Sequence, residues 1–394
     1  MLSITNEKSQ KNYAGPKKII LIEHLNEIGG ASRVSISLVH GLSDRFDFHV
    51  IIPSGQYLQE FEDGKTKVYK MSYSSFRPTL IPNKWVDQIS LVLEIRSCVR
   101  KILKDKETAV IHINGLPNIL PAIATRFLGL PTVWHVHETA FNPNWAFRLL
   151  TCFACSISNS VIAVSNSTAE DLIKNILFKS QANKIKVVYN SAFSSIKSKE
   201  TDQKNIIKSD NTFIVAMAAR IVPQKGIIEF LKIAQKTTEQ SKNIEFWLAG
   251  PKVIKHNRYF QSVISVIEDD SSKQIKYMGE LSSCEYFFKM SNIVVNTSLF
   301  VEPFGLTLVE AMSLGKPVIG PPYGGPGEII SNNENGLLID PKNTLLFSNT
   351  IIELSKDSER LNRLGQAGFM KYQNSFSQEN FFNSFSSEYF TLLE

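Results

Sequence analysis

Glu302-Pro303-Phe304-Gly305-Leu306-Thr307-Leu308-Val309-Glu310, continued by Ala311-Met312-Ser313-Leu314-Gly315-Lys316-Pro317-Val318-Ile319, is the stretch around which the chain is organised. Ahead of it, Asn292-Ile293-Val294-Val295-Asn296 has the short apolar run of a buried strand. Pro303 suits the first turn of a helix and Gly315 the left-handed residue that ends one, so a helix is expected from Leu306 to Leu314. Its free N–H groups, over Phe304, Gly305, Leu306 and Thr307, point back to the strand end and favour an anion. Glu302 lies at the mouth of that site and Glu310 one turn inside the helix. A carboxylate beside an anion site repels the anion unless it holds something else, and paired hydroxyls are the natural candidate. An ordinary helix-start acid and a solvated face residue are the plainer alternatives.

Upstream, Phe213-Ile214-Val215-Ala216-Met217-Ala218-Ala219-Arg220-Ile221-Val222-Pro223-Gln224-Lys225-Gly226 is a strand that ends in two cations, and a helix follows over Ile227 to Thr237. Arg220 and Lys225 flank that helix entrance and could neutralise a diphosphate through charge-assisted bonds. They could equally be solvated loop cations. Phe246 to Pro251 and Ile275 to Leu281 read as further strands with turns, and Pro317 to Gly320 as another. Gly324-Gly325-Pro326-Gly327-Glu328 is a glycine-rich turn into a helix, and Gly336 to Pro341 closes the sheet.

The first half repeats the strand and helix alternation. Lys18 to Ile22 is a strand, Gly29-Gly30 a turn, and the apolar period through Val34, Leu38 and Leu42 a helix. Strand, Gly-Gly turn, helix is the layout of a phosphate-approach loop, though without the GxGxxG or GK[ST] spacing. A tight turn alone explains it as well. Strands follow at Phe48–Ile52, Lys67–Met71, Val110–Ile113, Pro131–Val136, Val161–Val164 and Lys186–Asn190, with helices at Trp85–Leu103, Leu116–Leu128, Asn144–Ser158 and Ser167–Ile176. This pitch predicts α/β units with parallel sheets covered on both faces and ligands at the strand C-terminal ends. His137 and Glu138 lie at such an end, where a histidine is as readily structural as functional.

Composition bounds the rest. With 394 residues the chain is too long for one compact core and suits two domains: a polar tail at 1–16, a first domain at 17–192, a lysine- and serine-rich linker at 193–210, a second domain at 211–375 and a helix at 376–394 returning to the first. No apolar run approaches a membrane span, and Met1 to Lys18 lacks the apolar centre of a signal peptide, so a cytoplasmic location is expected. Up to Asn190 there are 22 Lys and Arg against 15 Asp and Glu, a basic half that fits an anionic membrane, a phosphate-bearing substrate or simply a solvated surface. Cys152 and Cys155 sit in an apolar stretch and read as core. No basic run interleaved with aromatics points to nucleic acid. Tyr73 to Pro82 and Phe141 to Phe153 carry aromatics with a cation each and could touch lipid or an acceptor.

Taken together, Arg220-x4-Lys225-Gly226, the Glu302-x7-Glu310 pair, Gly315-Lys316-Pro317-Val318 and Gly324-Gly325-Pro326-Gly327-Glu328 resemble the retaining glycosyltransferases of the GT-B fold, the group 1 or family 4 type with its EX7E motif. The resemblance covers most of 211–341, and Gly29-Gly30, His137-Glu138, Val164-Ser165 and Val187 to Asn190 extend it more thinly through the first half. It implies two facing Rossmann-like domains around a cleft and transfer of a hexose from a UDP-, GDP- or ADP-sugar to a glycan acceptor; the basic first half and the aromatic stretches Tyr73 to Ile81 and Phe141 to Phe153 point to a lipid-linked acceptor of a bacterial-type surface polysaccharide, and a soluble acceptor fits almost as well. Arg220 and Lys225 would hold and stabilise the leaving diphosphate without a metal cofactor. Glu310 would take the ribose hydroxyls, Glu302 the sugar hydroxyls, and backbone N–H groups from Phe304 to Thr307 the sugar and phosphates. Gly30 would let the first domain approach the phosphates, His137 would contact the sugar, and Glu328 would shape the sugar end. Ala249-Gly250-Pro251 is a reduced form of a commoner glycine-rich turn, which leaves the donor contact at Pro251 less defined, and Ser191 stands where glycine is common. No lysine suits a phosphorylase cofactor. A sugar-nucleotide epimerase and a non-catalytic sugar-nucleotide-binding subunit are the rival readings, and peripheral attachment to the inner membrane face through the first domain is a further expectation.

Overall fold

Lys18–Ile22 reads KIILI with its last four residues buried, a continuous apolar run that a strand adopts only where both faces are covered. Most of the strands are of that kind, and the consequence is two parallel sheets. The structure, a computed structural model, describes residues 17–23, 29–53, 56–72, 84–103, 108–140, 144–192 and 211–394. The tail at 1–16, the loop at 73–82, the first three residues of the stretch at 141–153 and the linker at 193–210 lie outside the described residues.

The first sheet contains β1 (Lys18–Ile22), β2 (Asp47–Pro53), β3 (Lys67–Met71), β4 (Ala109–Asn114), β5 (Thr132–Val136), β6 (Ser160–Ala163) and β7 (Ile185–Val187), in the order β3-β2-β1-β4-β5-β6-β7. All its pairings are parallel, Ile20 lying opposite His49 on one side and Ile111 on the other. Helix α1 (Gly30–Leu42) covers one face; α2 (Trp85–Ile102), α3 (Ile119–Thr125), α4 (Asn144–Ile157) and α5 (Asn166–Asn175) accompany the other. The second sheet contains β8 (Phe213–Ala218), β9 (Ile244–Ala249), β10 (Ile275–Tyr277), β11 (Ile293–Val295), β12 (Val318–Gly320) and β13 (Leu337–Leu338), ordered β10-β9-β8-β11-β12-β13. Its helices are α6 (Ile227–Gln240), α7 (Asn257–Glu268), α8 (Glu285–Met290), α9 (Leu306–Ser313), α10 (Gly324–Ile329), α11 (Thr344–Lys356) and α12 (Ser358–Lys371).

In both sheets the strand order reverses at one place, between β1 and β4 and between β8 and β11. Loops leaving such neighbours diverge, and the crevice between them is where ligands bind in open α/β sheets. Glu23 and Asn114 stand at one crevice, Arg220 and Asn296 at the other.

The last helix, α13 (Gln378–Leu393), packs against the first sheet, with Phe381, Phe385, Tyr389 and Leu393 in the core shared by α1 and β2. Tyr389 Oη lies 2.6 Å from His112 Nδ1, and Lys186 Nζ donates to Glu388 at 2.6 Å. The chain therefore crosses back after building the second sheet, which ties the two units at both ends.

Three elements are shorter than their apolar runs suggest. The helix expected from Leu116 begins only at Ile119, because Asn118 donates to Ile22 O at 2.9 Å and holds the preceding turn against β1. Gly279 at φ +77° breaks the strand after Tyr277, and the run from Gly336 joins the sheet only at Leu337–Leu338. Among the described residues no helix is long and apolar enough to cross a membrane.

Candidate active site

β11 ends in Asn296-Thr297-Ser298, and these three residues build the socket for Glu302. Asn296 Nδ2 and Ser298 Oγ each donate to Glu302 Oε2 at 2.8 Å, while Lys225 Nζ donates to Oε1 at 2.5 Å. Thr297 Oγ1 donates to Gly226 O at 2.9 Å, and Leu299 N to Gln224 O at 2.9 Å, so the two loops at the β8/β11 crevice are sewn together. Gly226 is left-handed at φ +65°, and a Cβ there would sit 1.8 Å from Thr297 O. Glycine after Lys225 is thus a requirement of the close approach that delivers the lysine to Glu302.

The glycine-rich turn before α10 backs the same loop. Gly325 N donates to Glu302 O at 2.8 Å, and a Cβ on Gly325 would meet Phe304 O at 2.0 Å. Phe304 itself is buried, its ring 6.1 Å from that of Tyr189 and 5.9 Å from that of Phe376, so only its backbone is available to a ligand. Gly305 turns the chain at φ +120° and begins α9 without a side-chain cap, leaving the N–H groups of Leu306 and Thr307 outside the helical ladder. Helix α1 is likewise uncapped at Gly29. A Cβ built on Gly30 would lie 3.2 Å from Leu306 Cδ1, so the two open helix N-termini face each other across the cleft. Two positive helix ends converging on one space form a site for an anion with more than one charged group.

The two carboxylates differ in state. Burial pushes Glu302 up, but the Lys225 charge and the bonds from Lys225, Asn296 and Ser298 outweigh it and hold the carboxyl below its ordinary value. Glu310, on the second turn of α9, is pushed up to about 7 by burial, with only partial relief from Arg33 on α1. One carboxylate is therefore locked ionised, and the other titrates near neutrality. Arg33, a cation of the first unit facing an acid of the second, escaped the sequence reading.

Arg220 is exposed at the end of β8, whereas Lys225 is bound to Glu302. The cation pair is thus split in the free protein, one member open and one engaged. Pro251 follows Gly250 at the end of β9, where its carbonyl accepts from Ile221 N at 3.1 Å. His137 is half-buried at the end of β5, its Nε2 2.8 Å from Asn114 Oδ1, and Asn114 Nδ2 donates to Glu23 Oε1 and Ser35 Oγ at 2.8 Å each. This chain joins the ends of β1, β4 and β5. Two residues on, Thr139 Oγ1 donates to Val301 O at 2.9 Å, which places the His137 strand end against the Glu302 loop.

Glu328, expected at the sugar end, accepts from Asn166 N at 2.9 Å and Ser167 N at 2.5 Å, with Asn166 Nδ2 at 3.2 Å and Tyr189 Oη at 3.3 Å. In the free protein it therefore caps α5 of the opposite unit. Cys152 and Cys155 are buried and unpaired, and burial pushes the Cys155 thiol up to about 11. Among the described residues, no group of three or more His, Cys, Asp or Glu side chains is placed to hold a metal.

Comparison with known proteins follows the same division. Residues 198–370 match the family described as Glycosyl transferases group 1, and residues 28–192 match Glycosyltransferase Family 4. The Escherichia coli UDP-Gal:alpha-D-GlcNAc-diphosphoundecaprenol alpha-1,3-galactosyltransferase is 24% identical over 358 residues, 86% of this chain and 88% of that protein. The Staphylococcus aureus capsular polysaccharide biosynthesis glycosyltransferase CapM is 22% identical over 365 residues, 88% of this chain and 90% of its own. In fold, the chain superposes on Anabaena HepE, crystallised with UDP and glucose, with a TM-score of 0.78 and 20% identity over 94% of this chain and 99% of the other.

Proposed function

This chain belongs to the glycosyltransferases of the group 1 and family 4 type, and from that premise we propose that it moves a hexose from a nucleotide sugar to a lipid-linked glycan acceptor with retention of configuration. The observation that carries the proposal is the convergence of two uncapped helix N-termini, at Gly30 and Leu306, beside Arg220, Lys225 and two carboxylates held in different ionisation states.

The diphosphate lies between the helix ends, with Gly305, Leu306 and Thr307 offering N–H groups and Arg220 closing from the β8 end. Lys225 leaves Glu302 for the phosphate oxygen that gains charge as the sugar departs. Glu302 remains anchored by Asn296 and Ser298, and its freed Oε1 accepts from a sugar hydroxyl. Glu310 accepts from the ribose hydroxyls, and His137 meets the sugar from the first domain. The anomeric carbon–phosphate oxygen bond breaks, the acceptor oxygen bonds to that carbon on the same face, and the acceptor proton passes to the departing phosphate. With fixed cations at the leaving group, no metal is required in this scheme. Closing the cleft excludes water that would otherwise hydrolyse the donor.

The names of the relatives support the finer assignment: a UDP-sugar donor and a diphosphoundecaprenol acceptor for one, capsule synthesis for the other. These names support a role in surface polysaccharide assembly at the cytoplasmic membrane face. The test is a turnover screen of the purified protein against UDP-, GDP- and ADP-sugars, with and without EDTA, using a lipid-linked acceptor extract, beside Glu302→Ala and Lys225→Ala. Release of one nucleoside diphosphate, unchanged by EDTA and abolished in both variants, is expected, with product NMR showing the donor's anomeric configuration. Donor binding without turnover on any acceptor would favour a non-catalytic binding subunit.

A further inference from the structure

Four polar side chains meet where the strand order of the first sheet reverses, and three of them are buried. Glu23 follows β1, Asn114 ends β4 and Ser35 lies on α1, while the fourth, His137, is half-buried just beyond β5. A carboxylate, an amide and a hydroxyl are costly to bury unless each is bonded, and a strand end that needed only packing would be served by apolar residues. The ring of His137 is also held from other sides. His137 N and Leu116 N both donate to Glu138 Oε2, at 3.1 and 2.9 Å, which ties the His137 backbone to the loop after β4. His135 packs against the ring with centroids 4.1 Å apart, and burial holds the His135 imidazole well below its ordinary value, in the neutral form.

The chemistry of the partners dictates where the hydrogens lie. Ser35 Oγ donates its one proton to Ala31 O at 3.0 Å, so toward Asn114 it can only accept. The Glu23 carboxylate accepts as well. Both groups lie 2.8 Å from the same atom of Asn114, which must be the amide nitrogen, with one hydrogen for each. The amide oxygen is thereby turned to His137, 2.8 Å from Nε2. An amide oxygen only accepts, so Nε2 carries a proton, and in the neutral ring the lone pair is on Nδ1. A carboxylate that never touches the imidazole thus sets its tautomer through one intervening amide.

We propose that Asn114 is a positioning residue for the transfer: with Glu23 and Ser35 it locks His137 in the Nε2–H tautomer, so that the neutral ring meets a hydroxyl of the donor sugar as an acceptor, through Nδ1. The proposal rests on the reading above that places His137 at the sugar, but the tautomer is measured separately. Full-length protein with 15N-labelled histidine is compared with Asn114→Leu, with Glu23→Gln/Ser35→Ala, which frees the Asn114 amide to turn over, and with His137→Gln, whose missing signals identify this ring among the seven histidines. Melting curves confirm the fold of each variant. Long-range proton–nitrogen spectra at alkaline pH should show wild-type His137 as a single tautomer protonated at Nε2, and a mixture of both tautomers in each network variant. With the nucleotide sugar that turns over in the screen above, Asn114→Leu should lower kcat by about tenfold or more and leave the affinity for the nucleoside diphosphate within about twofold. Asn114→Leu/His137→Gln should lose no more than His137→Gln alone, since the first residue acts through the second. A wild-type ring protonated at Nδ1 or present as a mixture, a single tautomer kept in both network variants, or a double variant whose loss is the product of the single losses overturns the proposal. The expected tautomer with turnover unchanged in His137→Gln would remove His137 from the sugar and the positioning role with it. The wrong tautomer with turnover lost in His137→Gln would overturn the lock alone and leave the placement of His137 standing.

Discussion

Replacing Glu310 by Gln should make the free protein more stable and less able to bind its donor, and the size of the gain should depend on pH. Burial moves the carboxyl from its ordinary 4.5 to about 7, so the folded chain holds a proton that the unfolded chain gives up. Below pH 4.5 the group is neutral in both states and contributes nothing. Between 4.5 and 7 the unfolded state ionises first, stability falls as pH rises, and above about 7 the loss is complete. At about 1.4 kcal/mol per pH unit the loss reaches about 3 kcal/mol, an upper bound because the side chain keeps some contact with water. Glutamine, neutral throughout, lacks this slope. Thermal melting of both proteins from pH 4.5 to 8.5 should therefore coincide at the acid end and separate by several degrees at the alkaline end, Glu310→Gln being higher. Donor hydroxyls need the ionised form as acceptor, so nucleotide binding at pH 7 should release about half a proton, seen by calorimetry in buffers of different ionisation enthalpy. Parallel melting curves across the whole range, with no proton release, would refute the assignment of Glu310 as a buried, proton-holding acceptor of donor hydroxyls.

Lys225→Ala should lower turnover by about a thousandfold, because the leaving phosphate loses its cation, and should also lower the melting temperature by leaving Glu302 unpaired. Lys225→Met/Glu302→Gln should recover the melting temperature without recovering turnover; recovery of both would remove the lysine from the chemistry. Glu328→Ala removes the carboxylate from the α5 N-terminus, a change of about 1–2 kcal/mol, and should raise the scattering radius of the free protein as the units part, with nucleotide affinity falling severalfold. An unchanged radius and affinity would mean that the other cross-contacts suffice. Gly226→Ala, with its Cβ 1.8 Å from Thr297 O and φ at +65°, should be destabilised by more than the ~1–2 kcal/mol of the backbone strain alone, and a melt within a degree of wild type would contradict the close packing of the two loops.

Free and donor-bound chains use the same charges differently. In the free protein Lys225 neutralises Glu302, which keeps two half-buried charges from standing alone. An incoming diphosphate competes for the lysine and releases one oxygen of the glutamate for a hydroxyl, so binding the leaving group prepares the site for the sugar. Thr139 and Thr168 bond to the carbonyls of Val301 and Pro303, at 2.9 and 3.4 Å, so the loop bearing Glu302 also registers the position of the first domain.

Much of this architecture was legible in the residues themselves. Continuous apolar runs such as Phe213 to Ala218 announce strands buried on both faces, and Gly226, Gly305 and Gly315 stand where the backbone turns left-handed. Both signals are local, since they reflect the burial and the steric freedom of neighbouring residues, and one chain segment displays them in full. Glu302 and Glu310 could be singled out for the same reason: their spacing across a strand, loop and helix is a property of nine consecutive residues. Partnerships were another matter. Lys225 and Glu302 are 77 positions apart, Asn166 and Glu328 are 162, and Asn114 meets Glu23 only because β1 and β4 are neighbours at the point where the strand order reverses. Nothing in the residue types tells a carboxylate that holds a ligand from one that caps a helix of the facing domain, as Glu328 does. The sequence determined which groups the site could contain; the tertiary path of the chain decided which of them meet, because hydrogen bonds and ion pairs act over a few ångströms and only the folded topology brings distant strand ends that close.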